Sequence, residues 1–250
     1  MSNSMATASE RFTACSLQFH SVTLTPAESS SPPLTIKKQN ILMLHGYGQT
    51  SAEFKQQTST LTQFLKPLAN FVYAEAFHPV AGIASFFGAV SAEGKQWWSM
   101  APSSLGAGWM GSVEELKDLC MEEHIDGVLG FSQGAALAAM LVVEMNESSS
   151  SSSNVAPLFG CFCSGFIPNP PGMCARVDGL LPHHAPTWHC YAYDDEIIRE
   201  EKSKSLAHCF DTKELLTAPI HAGGHSASEF PVEVFESLRS FVWQQQQSRT

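Results

Sequence analysis

Gly130-Phe131-Ser132-Gln133-Gly134 sits between a short apolar run (Ile125, Val128, Leu129) and the almost wholly apolar stretch 135–143. That pattern predicts a short buried strand, a sharp turn and a buried helix, with a serine at the turn. In so tight a turn the flanking backbones come close, and side chains two positions either side of the serine would collide. Glycine meets that demand at Gly130 and Gly134. A helix start just after Ser132 would aim backbone N–H groups at a point where negative charge can be held. The pentapeptide also arises by chance, so its partners have to be sought elsewhere in the chain.

The core begins at Asn40. Ile41 to Leu44 is a continuous apolar run, expected of a buried parallel strand, and it ends in His45-Gly46-Tyr47-Gly48. Further strands are expected at 71–77, 158–166, 188–193 and 215–220. Helices are expected at 51–65, capped by Ser51, and from Ser112, where Glu115 completes a capping-box pattern. Others follow the elbow, run from Asp194-Asp195-Glu196 to about Phe210, and open at Ser228 or Pro231 near the end. Strands alternate with helices throughout. The fold class is therefore α/β: a mostly parallel sheet of about six core strands with helices on both faces.

Residues 36–245 make one domain. Residues 1–35 form an N-terminal tail, in which the apolar alternation of Phe12 to Leu24 suits one or two edge strands. Segments 78–110 and 168–186 show no regular pattern and read as excursions around a substrate site. The run Ser148 to Ser153 reads as a linker loop.

Composition excludes several classes. The 250 residues carry a net charge of -10, and the 14 basic residues are scattered, which argues against a nucleic-acid partner. No apolar run approaches the ~20 residues that span a bilayer. Seven cysteines, an odd number with no Cys-x-x-Cys, read as reduced core residues of an intracellular, cytoplasmic protein. Organelle targeting by residues 1–35 stays open. With no Cys/His pair at metal spacing, neither a metal nor another cofactor is expected.

In an open parallel sheet, reactive groups gather at the C-terminal ends of strands. Four such ends carry reactive residue types here: His45-Gly46-Tyr47-Gly48, Ser132, Asp194/Asp195 and His221/His225. Their order, Ser then Asp then His, is the α/β-hydrolase order. A serine hydroxyl needs a base, which histidine supplies, and an acid to orient that base. His225 is preferred over His221, because Gly223-Gly224 lets the chain carry it back over the sheet edge. Between Asp194 and Asp195, position alone does not choose. The oxyanion donors are expected to be the amides of Gln133 and Tyr47. His45, Trp97, Trp98 and Trp109 are candidates for the pocket wall, and His78 could join them.

These residues resemble the FSH serine hydrolases, a family that includes ovarian-cancer-associated hydrolases and fungal esterases of polyketide pathways. The matching pieces are Ile41 to Gln49, Trp97-Trp98, Gly130 to Ala135, Ser164-Gly165-Phe166 and His221 to His225. The family's Gly-x-x-Asp-x-x-(Val/Ile) pattern falls on Ala192, Asp195 and Ile198, with alanine in place of glycine, and so favours Asp195. The resemblance implies a cofactor-free hydrolase for a small-molecule ester or thioester, the latter carried on CoA or an acyl carrier, with a place in secondary metabolism. Two alternatives are an acyl-protein thioesterase or lysophospholipase-like enzyme, which shares Gly-Phe-Ser-Gln-Gly, and a hydrolase-fold protein that binds without turnover.

Overall fold

The computed structural model describes residues 37–80, 93–149, 157–168, 171–179, 182–211, 220–221, 224–228 and 230–249. The edge strands expected before residue 36, most of the serine run and part of the first excursion lie outside them. Six strands form one parallel sheet: β1 (Gln39–Leu44), β2 (Ala69–Ala74), β5 (Gly127–Phe131), β6 (Phe159–Cys163), β7 (Thr187–Ala192) and β8 (Ile220–His221). The spatial order is β2-β1-β5-β6-β7-β8. Chain direction through the sheet switches between β1 and β5, so the loops after these two strands flank a crevice. Two short strands, β3 (His78–Pro79) and β4 (Lys95–Gln96), pair antiparallel as a separate ribbon.

Alternation along β1 shows how the two faces are filled. Leu42 and Leu44 pack on one side with α3 (Trp109–Glu122), α4 (Gln133–Ser149), α5 (Pro171–Val177) and α6 (Glu200–His208). Ile41 and Met43 pack on the other with α1 (Ser51–Gln57), α2 (Ser59–Leu65) and α7 (Val232–Gln247). Helix α4 is buried over residues 133–143, which explains its lack of an amphipathic pattern.

Several local expectations need correction. The helix expected over 51–65 breaks at Thr58, whose hydroxyl donates to the Phe54 carbonyl. Its cap is Thr50 rather than Ser51: Thr50 and Glu53 exchange both capping-box bonds. Ser112 does not open α3. That helix starts at Trp109, and the Ser112 hydroxyl instead donates to the Trp97 carbonyl at 2.6 Å. The proline-rich segment 168–186 holds a helix, α5. Pro171 occupies its first position, where a missing N–H costs nothing. Beyond residue 245, α7 continues to Gln247, and the Arg249 guanidinium donates to the carboxylate and carbonyl of Asp126.

Candidate active site

Strand β5 delivers Ser132 on a left-handed backbone, φ 55°. The turn is as tight as the glycine pattern demands. A Cβ on Gly130 would stand 2.3 Å from the Gly134 carbonyl oxygen, and one on Gly134 would stand 2.3 Å from that of Leu44. Helix α4 then starts at Gln133, whose N–H has no acceptor within the helix.

The histidine and the acid arrive from the ends of two other strands. Ser132 Oγ lies 3.0 Å from His225 Nε2, and His225 Nδ1 lies 2.8 Å from Asp195 Oδ2. A carboxylate only accepts, so Nδ1 carries the proton and Nε2 is left to accept from the serine hydroxyl. The other oxygen, Asp195 Oδ1, accepts from the amides of Ile197 and Ile198 at 2.9 and 2.8 Å. Burial alone would raise the Asp195 pKa. The hydrogen bond and charge of His225, the Ile198 amide and the Ser164 hydroxyl outweigh it, and the net shift is downward. Asp194 serves differently. Its carboxylate accepts from the Gly224 amide at 2.9 Å and tethers the loop that carries His225.

The loop after β1 is held from behind. His45 Nδ1 stands 2.8 Å from the Gly46 carbonyl, while His45 Nε2 accepts from the Ala76 amide at 3.1 Å. This arrangement requires a neutral ring with its proton on Nδ1. Burial pushes the His45 pKa down accordingly, against smaller opposing effects of the Gly46 carbonyl and Glu75. The Gly46 carbonyl and the Tyr47 N–H belong to one planar trans peptide and point opposite ways. Holding the carbonyl against His45 therefore fixes the direction of the Tyr47 amide.

Trp97 ties this loop to the elbow. Its indole N–H donates to the His45 carbonyl at 2.8 Å. Its backbone N–H donates to Gln133 Oε1, and Gln133 Nε2 donates to the Trp98 carbonyl, both at 3.0 Å.

Beside Ser132 opens a cavity of about 410 Å³. Tyr47, Gln133 and His225 line it, as expected of residues near the serine. The four pocket candidates His45, Trp97, Trp98 and Trp109 are not on its wall. His45, Trp97 and Trp98 are fully buried, and Trp109 packs against the core. The rings of Trp97 and Trp98 are spent on core packing, and the Trp97 N–H groups on bracing. His78 is not on the wall either; it lies directly beneath Gly108. The apolar wall instead comes from Met100, Phe131, Phe166, Ile167, Ile197 and Ile198, none of which the sequence singles out as a wall residue. A signal existed for some of them, since Phe166 and Ile198 belong to the motifs that carry the family resemblance. Among the described residues, no group of three or more His, Cys, Asp or Glu could hold a metal ion. No helix among them is long and apolar enough to cross a membrane.

Comparison with known proteins points the same way as the elbow. Residues 34–228 match the family described as serine hydrolase (FSH1). A Drosophila melanogaster protein, Esterase CG5412, is 31% identical over 222 residues, covering 80% of this chain and 73% of its own length. Esterase OVCA2 of Bos taurus is 31% identical over 209 residues, covering 74% of this chain and 87% of its own. Among solved structures, Arabidopsis thaliana SOBER1 matches with a TM-score of 0.58 at 17% identity, over 84% of this chain and 99% of that one, a likeness of fold. The chain has the α/β-hydrolase fold, belongs to the FSH1 serine hydrolase family, and is a carboxylic ester hydrolase.

Proposed function

We propose that the chain cleaves an ester or thioester of an apolar acyl group through an acyl-enzyme on Ser132. The observation that carries this reading is the unbroken hydrogen-bond chain from Ser132 Oγ through His225 to Asp195, at 3.0 and 2.8 Å. Ser132 Oγ bonds to the acyl carbon while its proton passes to His225 Nε2. Negative charge gathers on the former carbonyl oxygen, where the Gln133 and Tyr47 amides receive it. Collapse expels the alcohol or thiol, which takes the proton from His225. A water molecule then repeats the sequence, giving its proton to His225 and releasing the acid. Asp195 stays ionised throughout and supports the charged imidazole. Six apolar wall residues beside the serine suit an aliphatic or aromatic acyl chain. A place in polyketide metabolism rests on the family resemblance alone.

Labelling with a fluorophosphonate probe, read by intact mass, tests the nucleophile. One adduct is expected on the native chain and none on Ser132→Ala. Loss of Ser132 should lower kcat on a p-nitrophenyl ester by on the order of 10⁴-fold or more. A native chain that stays unlabelled, or a Ser132→Ala variant that labels equally well, sinks the reading. Matched alkyl esters and acyl thioesters decide which leaving group is preferred.

A further inference from the structure

The cavity wall holds one feature that an apolar acyl chain does not explain. Lys202, in the first turn of α6, lines it together with Ser205, one turn further along. Among the described residues, no carboxylate side chain lines the cavity. The neighbouring Lys204 is spent on an ion pair with Glu200. Lys202 has no such partner: among the described residues, no carboxylate stands within ion-pair distance of it. Of the other lining groups that titrate, the Tyr47 phenol is pushed further toward its neutral form by burial, and His225 is engaged with Ser132 and Asp195. A chain of net charge -10 thus places an exposed lysine with no ion-pair partner, and no acid, among the described residues that line its ester site.

We infer that the substrate carries an anionic group, a carboxylate or a phosphate, which Lys202 engages while the acyl carbon lies on Ser132. This deepens the hydrolase reading proposed above and rests on it. The wall then divides the substrate: the apolar residues take its hydrocarbon part and Lys202 takes its charge. A carboxylate would come from the far end of a dicarboxylic acyl group. A phosphate would come from the leaving group, as in a phosphopantetheine thioester. The competing account is that the lysine stem merely covers apolar wall while the ammonium stays in water.

Two matched substrate pairs test the inference. One pair is p-nitrophenyl hexanoate and the mono-p-nitrophenyl ester of adipate. The other is hexanoyl-pantetheine and hexanoyl-4′-phosphopantetheine. In at least one pair the anionic member should show the higher kcat/KM, by roughly five- to tenfold at low salt, mainly through KM. That ratio should shrink with added salt. It should fall to near one in Lys202→Met, which keeps the stem, invert in Lys202→Glu, and survive in Lys202→Arg. Lys204→Met should leave the ratio at its native value. The pair that responds identifies the anion. A native ratio of one in both pairs, or a preference that Lys202→Met leaves intact, overturns the inference while the hydrolase reading stands. Failure to turn over any of the four substrates, with no fluorophosphonate adduct, overturns both.

Discussion

Replacing Trp97 by phenylalanine separates the bracing of the site from its chemistry. The substitution keeps an aromatic ring in a fully buried position but removes the indole N–H that donates to the His45 carbonyl at 2.8 Å. Leaving that carbonyl buried without its donor costs about 1–3 kcal/mol. The smaller ring leaves a void of ~40 Å³, worth about 1 kcal/mol more. The sum, about 2–4 kcal/mol, should lower Tm by roughly 5–15 °C for a domain of this size. The consequence for catalysis follows from the planar peptide. Once the His45 carbonyl is free to move, the His45–Gly46 peptide can rotate, and the next peptide along the chain, which carries the proposed Tyr47 donor, shifts with it. Full loss of one oxyanion donor costs about 10²–10³ in kcat, so partial misalignment should cost about 10–100-fold. KM should change little, because ground-state contacts in the cavity are untouched. Steady-state kinetics on a p-nitrophenyl ester and a thermal melt measure the two effects side by side. A variant that melts lower yet keeps native kcat refutes the link between Trp97 and the oxyanion loop.

Three further outcomes are expected. Ser132 holds φ 55°, a conformation that costs a non-glycine residue about 1–2 kcal/mol, so Ser132→Gly should be about as stable as Ser132→Ala or more so, by up to about 1 kcal/mol in urea unfolding. An alanine variant clearly more stable than the glycine one would contradict the strain. His189 is buried beside Phe162 and Phe210, and burial pushes its pKa down to about 3. The folded state therefore binds this proton less readily than the unfolded state. Stability is fully present above the unfolded value and drains as pH falls toward about 3, by on the order of 5 kcal/mol at most. His189→Gln should flatten that acid slope, and an unchanged slope would locate the acid sensitivity elsewhere. Arg249 bonds to the Asp126 carboxylate and carbonyl and to the Pro157 carbonyl. Arg249→Ala should cost about 1–3 kcal/mol in chemical unfolding with little effect on kcat, since none of its partners lines the cavity. A large loss of kcat would show that this end of the sheet reaches the site.

The α/β alternation and the approximate limits of β1, β5 and β7 were legible because buried parallel strands are continuous apolar runs. Order along the chain then placed Ser132, the pair Asp194/Asp195 and the pair His221/His225 at strand ends, and the family resemblance favoured Asp195. Position did not separate Asp194 from Asp195, because the difference lies in direction: one carboxylate turns to the His225 ring and the other to the Gly224 amide. The pocket wall was the least legible part. Two adjacent tryptophans in an irregular segment look alike in sequence whether they face a cavity or the core, and Trp97 and Trp98 face the core. None of the three isoleucines that do form the wall lies in a periodic element: Ile167 follows β6 in irregular chain, and Ile197 and Ile198 lie in a bend. Ser112 misled for a related reason. Ser-x-x-Glu marks a helix start only when the serine stands at the cap position, and Ser112 lies inside α3, with its hydroxyl donating to the Trp97 carbonyl. Helix α5 has seven residues, too few for a 3.6-residue period to show.

The Gln133 carboxamide has a consequence for any attempt to re-engineer this scaffold. The residue after the nucleophile is usually regarded as a backbone donor whose side chain is free to vary. Here both ends of that side chain are committed to the main chain of Trp97 and Trp98. Segment 95–109 is therefore not a replaceable module. A loop grafted from another hydrolase at those boundaries would strand a buried amide beside the elbow unless position 133 were redesigned with it. Conversely, a library that varies position 133 alone would sample mostly displaced loops rather than new specificities. Graft and elbow have to be exchanged as a single cassette.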